Sequence, residues 1–183
     1  GEEYRDPRIM IRGLEQLASL EPENLIGAHG PPFSGQQEIK KIIINYRDTL
    51  QFLWDQTVRC ANKGLTLNET INVIKLPRQF SDHYTTQQLY GLVEHHVRQI
   101  YTGLFGWFDE DEANLFPVPL PERSQRLVEG FGGKARVREI IDASLTKNDF
   151  RWAIELSSWL VRGNFNDLGT VSYTHLRAHE TDT

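Results

Sequence analysis

Apolar positions recur at three- and four-residue steps along most of the chain, and each run predicts a helix. In "DPRIMIRGLEQLASLEPENLIGAHG", Ile9, Ile11, Leu14, Leu17, Ala18 and Leu20 keep helical spacing until Pro22 stops it. "NLIGAHG" then predicts a short buried strand ending at glycine. A longer stripe begins at Gln36, with Ile39, Ile42, Ile43, Tyr46, Leu50, Leu53, Trp54, Thr57, Val58 and Ala61 on one face. Asn62-Lys63-Gly64 supplies a cation in the last turn and a glycine stop. Thr66-Leu67-Asn68-Glu69 has the spacing of a capping box, and Pro77 ends the short helix that it opens. The pair forms a helical hairpin.

"QQLYGLVEHHVRQIYTGLFGWF" predicts a third helix. At about 100° per residue, Leu89, Leu92, Val93, His96, Val97, Ile100, Tyr101 and Leu104 share its apolar face, and His95 lies well off it. "DEDEANLFPVPLP" reads as an acidic, proline-rich loop. Two more helices follow, around Glu122–Phe131 and Lys134–Leu145. A last one opens near Asp149 and carries Trp152, Ile154, Leu156, Trp159 and Leu160. The fold class is mainly α. Trp54, Tyr101, Phe105, Trp107, Trp152 and Trp159 are expected to anchor helix packing, each burial gaining about 2–3 kcal/mol.

The stripes stop before the end. "VSYTHLRAHET", Val171 to Thr181, resembles the translation of a transposase sequencing adapter. Residues 171–183 are therefore expected not to be native and stay out of the fold reasoning, including the i, i+4 pair His175 and His179. With a start at "GEEYRDP", the sequence reads as a fragment at both ends.

Composition narrows the partners. The 183 residues are 39% hydrophobic and 25% charged, with a net charge of −5. That balance argues against nucleic acid and anionic membranes, which reward a basic face. The longest aliphatic run, in "KKIIIN", falls far short of the roughly 18 residues of a membrane span. With Cys60 alone, neither an internal disulfide nor a cysteine-based zinc site can form.

Candidate chemistry centres on histidine. In "LIGAHGPPFSG", His29 follows the expected strand and enters a turn stiffened by Pro31 and Pro32. It is either an ordinary loop residue or an imidazole held for a metal, because ligands gather beyond the carboxyl ends of strands. His83 reads as a loop residue and His96 as a core residue. His95 alone reads as a solvated helix residue. The run Asp109 to Glu112 lacks the spacing and glycine of a calcium loop. On these residues alone, a non-enzymatic helical interaction module remains the alternative to an enzyme.

The motifs "YRDP", "GAHGPP.SG", "YRDTLQFLWDQTVR.ANKG", "YG.VEH.VRQIY.G..GWFD", "ANLFP.P" and "NDFRWAIEL" occur in one order. In this the chain resembles the alkyl sulfatases of the metallo-β-lactamase superfamily, over residues 1–168. The resemblance implies that residues 1–35 end a metallo-β-lactamase-like αβ/βα catalytic domain and that 36–168 form a helical dimerisation domain. It implies an enzyme that hydrolyses alkyl sulfates such as dodecyl sulfate to alcohol and sulfate, with two zinc ions per subunit. His29 would be one zinc ligand. The others, in an H-x-H-x-D-H motif and two acidic residues, are expected before Gly1, so the fragment alone would be inactive. His95 would reach the sulfate, with Tyr90 assisting. The implied assembly is a homodimer, with a hydrophobic interface built from the Gln36–Ala61 and Leu89–Phe105 helices.

Overall fold

The computed structural model describes residues 4–88 and 92–165. The fold is mainly α, as the stripes predict. The chain divides into two compact units, Gly1–Asp111 and Glu112–Thr183.

The first unit is built on a long helix. Its opening helix, α1 (Pro7–Ser19), starts where the "YRDP" motif predisposes it to start. The Asp6 carboxylate accepts a hydrogen bond from the Arg8 backbone N–H at 2.9 Å, and Pro7 takes the first helical position, where no N–H is needed. The Arg8 guanidinium also binds that carboxylate at 2.7 Å and holds its pKa below the usual range. The same guanidinium lies 4.7 Å over the Trp54 ring, tying α1 to the next helix.

Between those helices lies a two-stranded antiparallel hairpin, β1 (Asn24–Leu25) and β2 (Phe33–Ser34), with Asn24 opposite Ser34 and Leu25 opposite Phe33. The buried strand expected in "NLIGAHG" is thus two residues long and lies at the surface, with Ile26 81% exposed. Among the described residues β1 pairs only with β2. Gly35, at φ 99°, turns the chain out of β2, and its N–H donates to the Glu23 carbonyl at 2.8 Å.

Helix α2 (Gln36–Asn62) buries Ile39, Ile42, Ile43, Leu50, Leu53 and Cys60. Thr57 shares the buried face because its hydroxyl donates to the Leu53 carbonyl at 2.7 Å. Tyr46, expected on this face, sits at its exposed edge. Helix α3 (Leu67–Val73) opens with the predicted capping box, and the one-turn α4 (Arg78–Ser81) follows Pro77. Helix α5 (Val93–Phe105) starts later than the stripe suggests and turns Val93, Val97, Ile100 and Tyr101 inward. The faces of α2, α3 and α5 meet in a core of Leu53, Cys60, Ile74, Val93, Val97 and Ile100. At the far end of α5, Phe105 is 58% exposed and Trp107 71% exposed, so neither anchors this core. The stripe turns inward one helical turn earlier, at Tyr101, whose hydroxyl donates to the Leu65 carbonyl at 3.1 Å.

In the second unit the acidic segment forms a single 3₁₀ turn, Glu112–Asn114. Three helices follow: α6 (Leu120–Gly130), α7 (Lys134–Thr146) and α8 (Phe150–Arg162). Gly132 and Gly133, at φ 95° and 89°, make the tight corner between the first two. Val128, Val137, Ile141, Ala153, Leu156 and Leu160 form the core. Trp152 and Trp159 pack edge to face, centroids 5.7 Å apart, as the packing role predicted for them requires.

Candidate functional site

His29 lies in the bend between β1 and β2 and is exposed. The bend is tight: a Cβ on Gly27 would lie 3.1 Å from the His29 carbonyl oxygen, and Gly30 holds φ 85°. With Pro31 and Pro32 following, the backbone around the imidazole has little freedom. The ring takes no hydrogen-bond partner among the described residues. Its nitrogens are therefore available to an outside ligand.

His95 lies in the first turn of α5 and is exposed, off the buried face as its spacing predicts. His96 beside it is half-buried, and its pKa is lowered by burial and then by the neighbouring His95 charge. Tyr90 lies outside the described residues, as do Val171 to Thr183. His83 sits in the loop that follows α4, its Nδ1 2.8 Å from the Thr85 hydroxyl.

A metal site needs several ligands on one centre, usually three protein groups for catalytic zinc. No group of three or more His, Cys, Asp or Glu side chains that could hold a metal occurs among the described residues. His29 thus fits the part of a single ligand and no more. Asp109 to Asp111 form no cation site either; the Glu110 carboxylate is engaged with the Tyr101 hydroxyl at 3.3 Å.

Sequence patterning alone did not single out the loop of residues 82–88. The Tyr84 ring lies 5.9 Å from Phe33 of β2 and stacks on His83 at 5.7 Å. The Thr86 hydroxyl donates to the Phe80 carbonyl at 2.6 Å and accepts from Asn45 of α2 at 3.0 Å. The Gln88 side-chain oxygen accepts from the Val93 N–H at 2.9 Å. Leu92, which precedes α5, has no side chain able to cap a helix, but the apolar spacing that runs through it hides this boundary in the sequence.

The alkyl sulfatase dimerisation family matches residues 66–173, more than half of the sequence. The chain belongs to that family. It is 36% identical over 169 residues to a linear primary-alkylsulfatase of Pseudomonas sp., covering 91% of this chain and 32% of that protein. An alkyl/aryl-sulfatase of Saccharomyces cerevisiae, BDS1, is 31% identical over 143 residues, 78% of this chain and 22% of its own length. Among solved structures, the stereoselective inverting sec-alkylsulfatase Pisa1 from Pseudomonas sp. aligns with a TM-score of 0.77 at 31% identity, over 88% of this chain and 26% of that one. The chain spans about a third or less of the length of these relatives. The family match opens at the Thr66 cap and takes in α3 to α8, so it includes His95. His29 lies ahead of it, though within the stretch shared with the primary-alkylsulfatase, because 91% coverage reaches past both histidines.

Proposed function

We propose that this chain is part of a zinc-dependent alkyl sulfatase of the metallo-β-lactamase superfamily, which hydrolyses alkyl sulfates such as dodecyl sulfate to alcohol and sulfate. The observation that carries the reading is His29: an exposed imidazole without a hydrogen-bond partner among the described residues, fixed between Gly27 and Gly30, in a chain of the alkyl sulfatase dimerisation family.

Neutral imidazole nitrogen is a good zinc donor, and a rigid bend limits the ring directions it can offer. Bound zinc would supply Lewis acidity for the attack of water on the ester. His29 provides one ligand, and residues outside this sequence complete the set. His95 at the start of α5 contributes a hydrogen-bond donor, charged when protonated, for the sulfate oxygens. Tyr90 would add a second donor. The assembly is a homodimer, in keeping with the name of the family.

The test uses the full-length protein that contains this segment. It is expected to hydrolyse dodecyl sulfate and to carry about two zinc ions per subunit. His29→Ala should lose bound zinc and lower kcat/KM by at least about 100-fold, since even outer partners of metal ligands are worth 10–100-fold. Unchanged metal content and activity in that variant would overturn the reading.

A further inference from the structure

His29 in the hairpin and His95 in the first turn of α5 lie more than sixty residues apart in sequence. The loop of residues 82–88 touches both the hairpin and that turn. At one end Tyr84, half exposed, sets its ring 5.9 Å from Phe33, directly across the ladder from Leu25. At the other end Gln88 accepts the Val93 N–H at 2.9 Å, two residues before His95. In between, Thr86 is buried and bonded to both the Phe80 carbonyl and Asn45 of α2, which fixes the middle of the loop to the long helix.

Each contact fills a local need. A two-residue ladder is too short to hold a hairpin by itself, so β2 needs packing from outside the ladder. Helix α5 begins after Leu92, which offers no capping oxygen, so its first N–H groups need an acceptor from elsewhere. Gln88 supplies that acceptor from five residues upstream.

We propose that the 82–88 loop is a positioning brace, in which Tyr84 steadies the His29 hairpin and Gln88 fixes the first turn of α5 beneath His95. Tyr84 and Gln88 are positioning residues, acting through the histidines. The catalytic consequence rests on the function proposed above, whereas the mechanical claim can be measured without turnover.

The experiment is hydrogen–deuterium exchange on the full-length protein, followed by dodecyl sulfate kinetics. Tyr84→Ala should speed exchange in residues 24–34 about three- to tenfold, the range an aromatic pair supports, and leave α6–α8 unchanged. Tyr84→Phe keeps the ring and should match wild type. Gln88→Ala should speed exchange at the α5 N-terminus, and Gln88→Glu, which still accepts the bond, should restore it. In turnover, Tyr84→Ala, which acts through the zinc ligand, should lower kcat more than it raises KM, and Gln88→Ala, which acts through the sulfate contact, should raise KM more than it lowers kcat. Unchanged exchange at 24–34 in Tyr84→Ala overturns the proposal, as does a Phe variant that behaves like Ala or an acceleration spread over the whole chain. A wild-type protein that fails to cleave dodecyl sulfate overturns the functional reading instead, and the exchange data still decide the brace.

Discussion

Glu69 shows how one carboxylate can set a helix boundary. It accepts the Thr66 backbone N–H at 2.8 Å and the Thr66 hydroxyl at 2.9 Å, and its own N–H donates back to that hydroxyl at 3.3 Å. These bonds favour the ionised form, so the carboxyl pKa is lowered by the Thr66 backbone first and its hydroxyl second. A lowered carboxylate pKa stabilises the fold above the unfolded-state value and is lost as pH falls through the folded one. Urea midpoints of wild type and Glu69→Ala should therefore differ at neutral pH and converge in acid below about pH 4. His96 gives a second acid sensitivity. Burial lowers its pKa, so the unfolded chain binds the proton more readily and stability declines as pH drops below about 6.5. His96→Gln should flatten that part of the urea-midpoint profile. Both residues were legible in the sequence, Glu69 by its spacing from Thr66 and His96 by its place on the stripe. Tyr84 was not, because an aromatic residue in a polar loop has no periodicity, and its partner Phe33 lies about fifty residues away.

At the scale of elements, the apolar stripes marked faces well and ends less well. Helices α6 and α7 lie within two residues of their expected limits, and α8 within one residue of its expected start, because Pro119, Gly133 and Asp149 punctuate them. The start of α5 was misplaced because the apolar spacing of Leu89 and Leu92 runs on ahead of Val93, and a stripe does not say where backbone hydrogen bonding begins. The apolar end of "NLI" suggests a buried strand, whereas β1 pairs with β2 as a short hairpin at the surface. Element packing makes a direct prediction in the second unit. Leu156 of α8 is fully buried among Val128, Val137 and Leu160. Truncating it to alanine removes methyl groups and leaves a cavity, at a cost of about 2–5 kcal/mol. Hydrogen exchange should show the loss first in α6–α8, the helices that share this core.

At the scale of the whole molecule, the question is which apolar surface remains once each unit has filled its own core. The stripes of α2 and α5, expected to form a dimer interface, are largely buried within the first unit, where Leu53 and Cys60 of α2 meet Val93, Val97 and Ile100 of α5. They leave Tyr46 of α2 at the exposed edge and, fully outside, the C-terminal end of α5, where Leu104 and Phe105 are exposed with Trp107 just beyond them. Large aromatic residues on a surface are the usual anchors of interfaces, and removing a few of them typically carries much of the binding energy. In a chain of a dimerisation family, this end of α5 is the surface we expect the second copy to cover. The prediction is that the full-length protein sediments as a dimer at micromolar concentration. Trp107→Ser together with Phe105→Ser should shift it toward monomer by at least about tenfold in Kd, the effect of losing one modest hot spot. Because both side chains lie outside the first unit's core, the far-ultraviolet circular dichroism should not change. A double variant that stays dimeric at the wild-type Kd would place the interface on another face of the molecule.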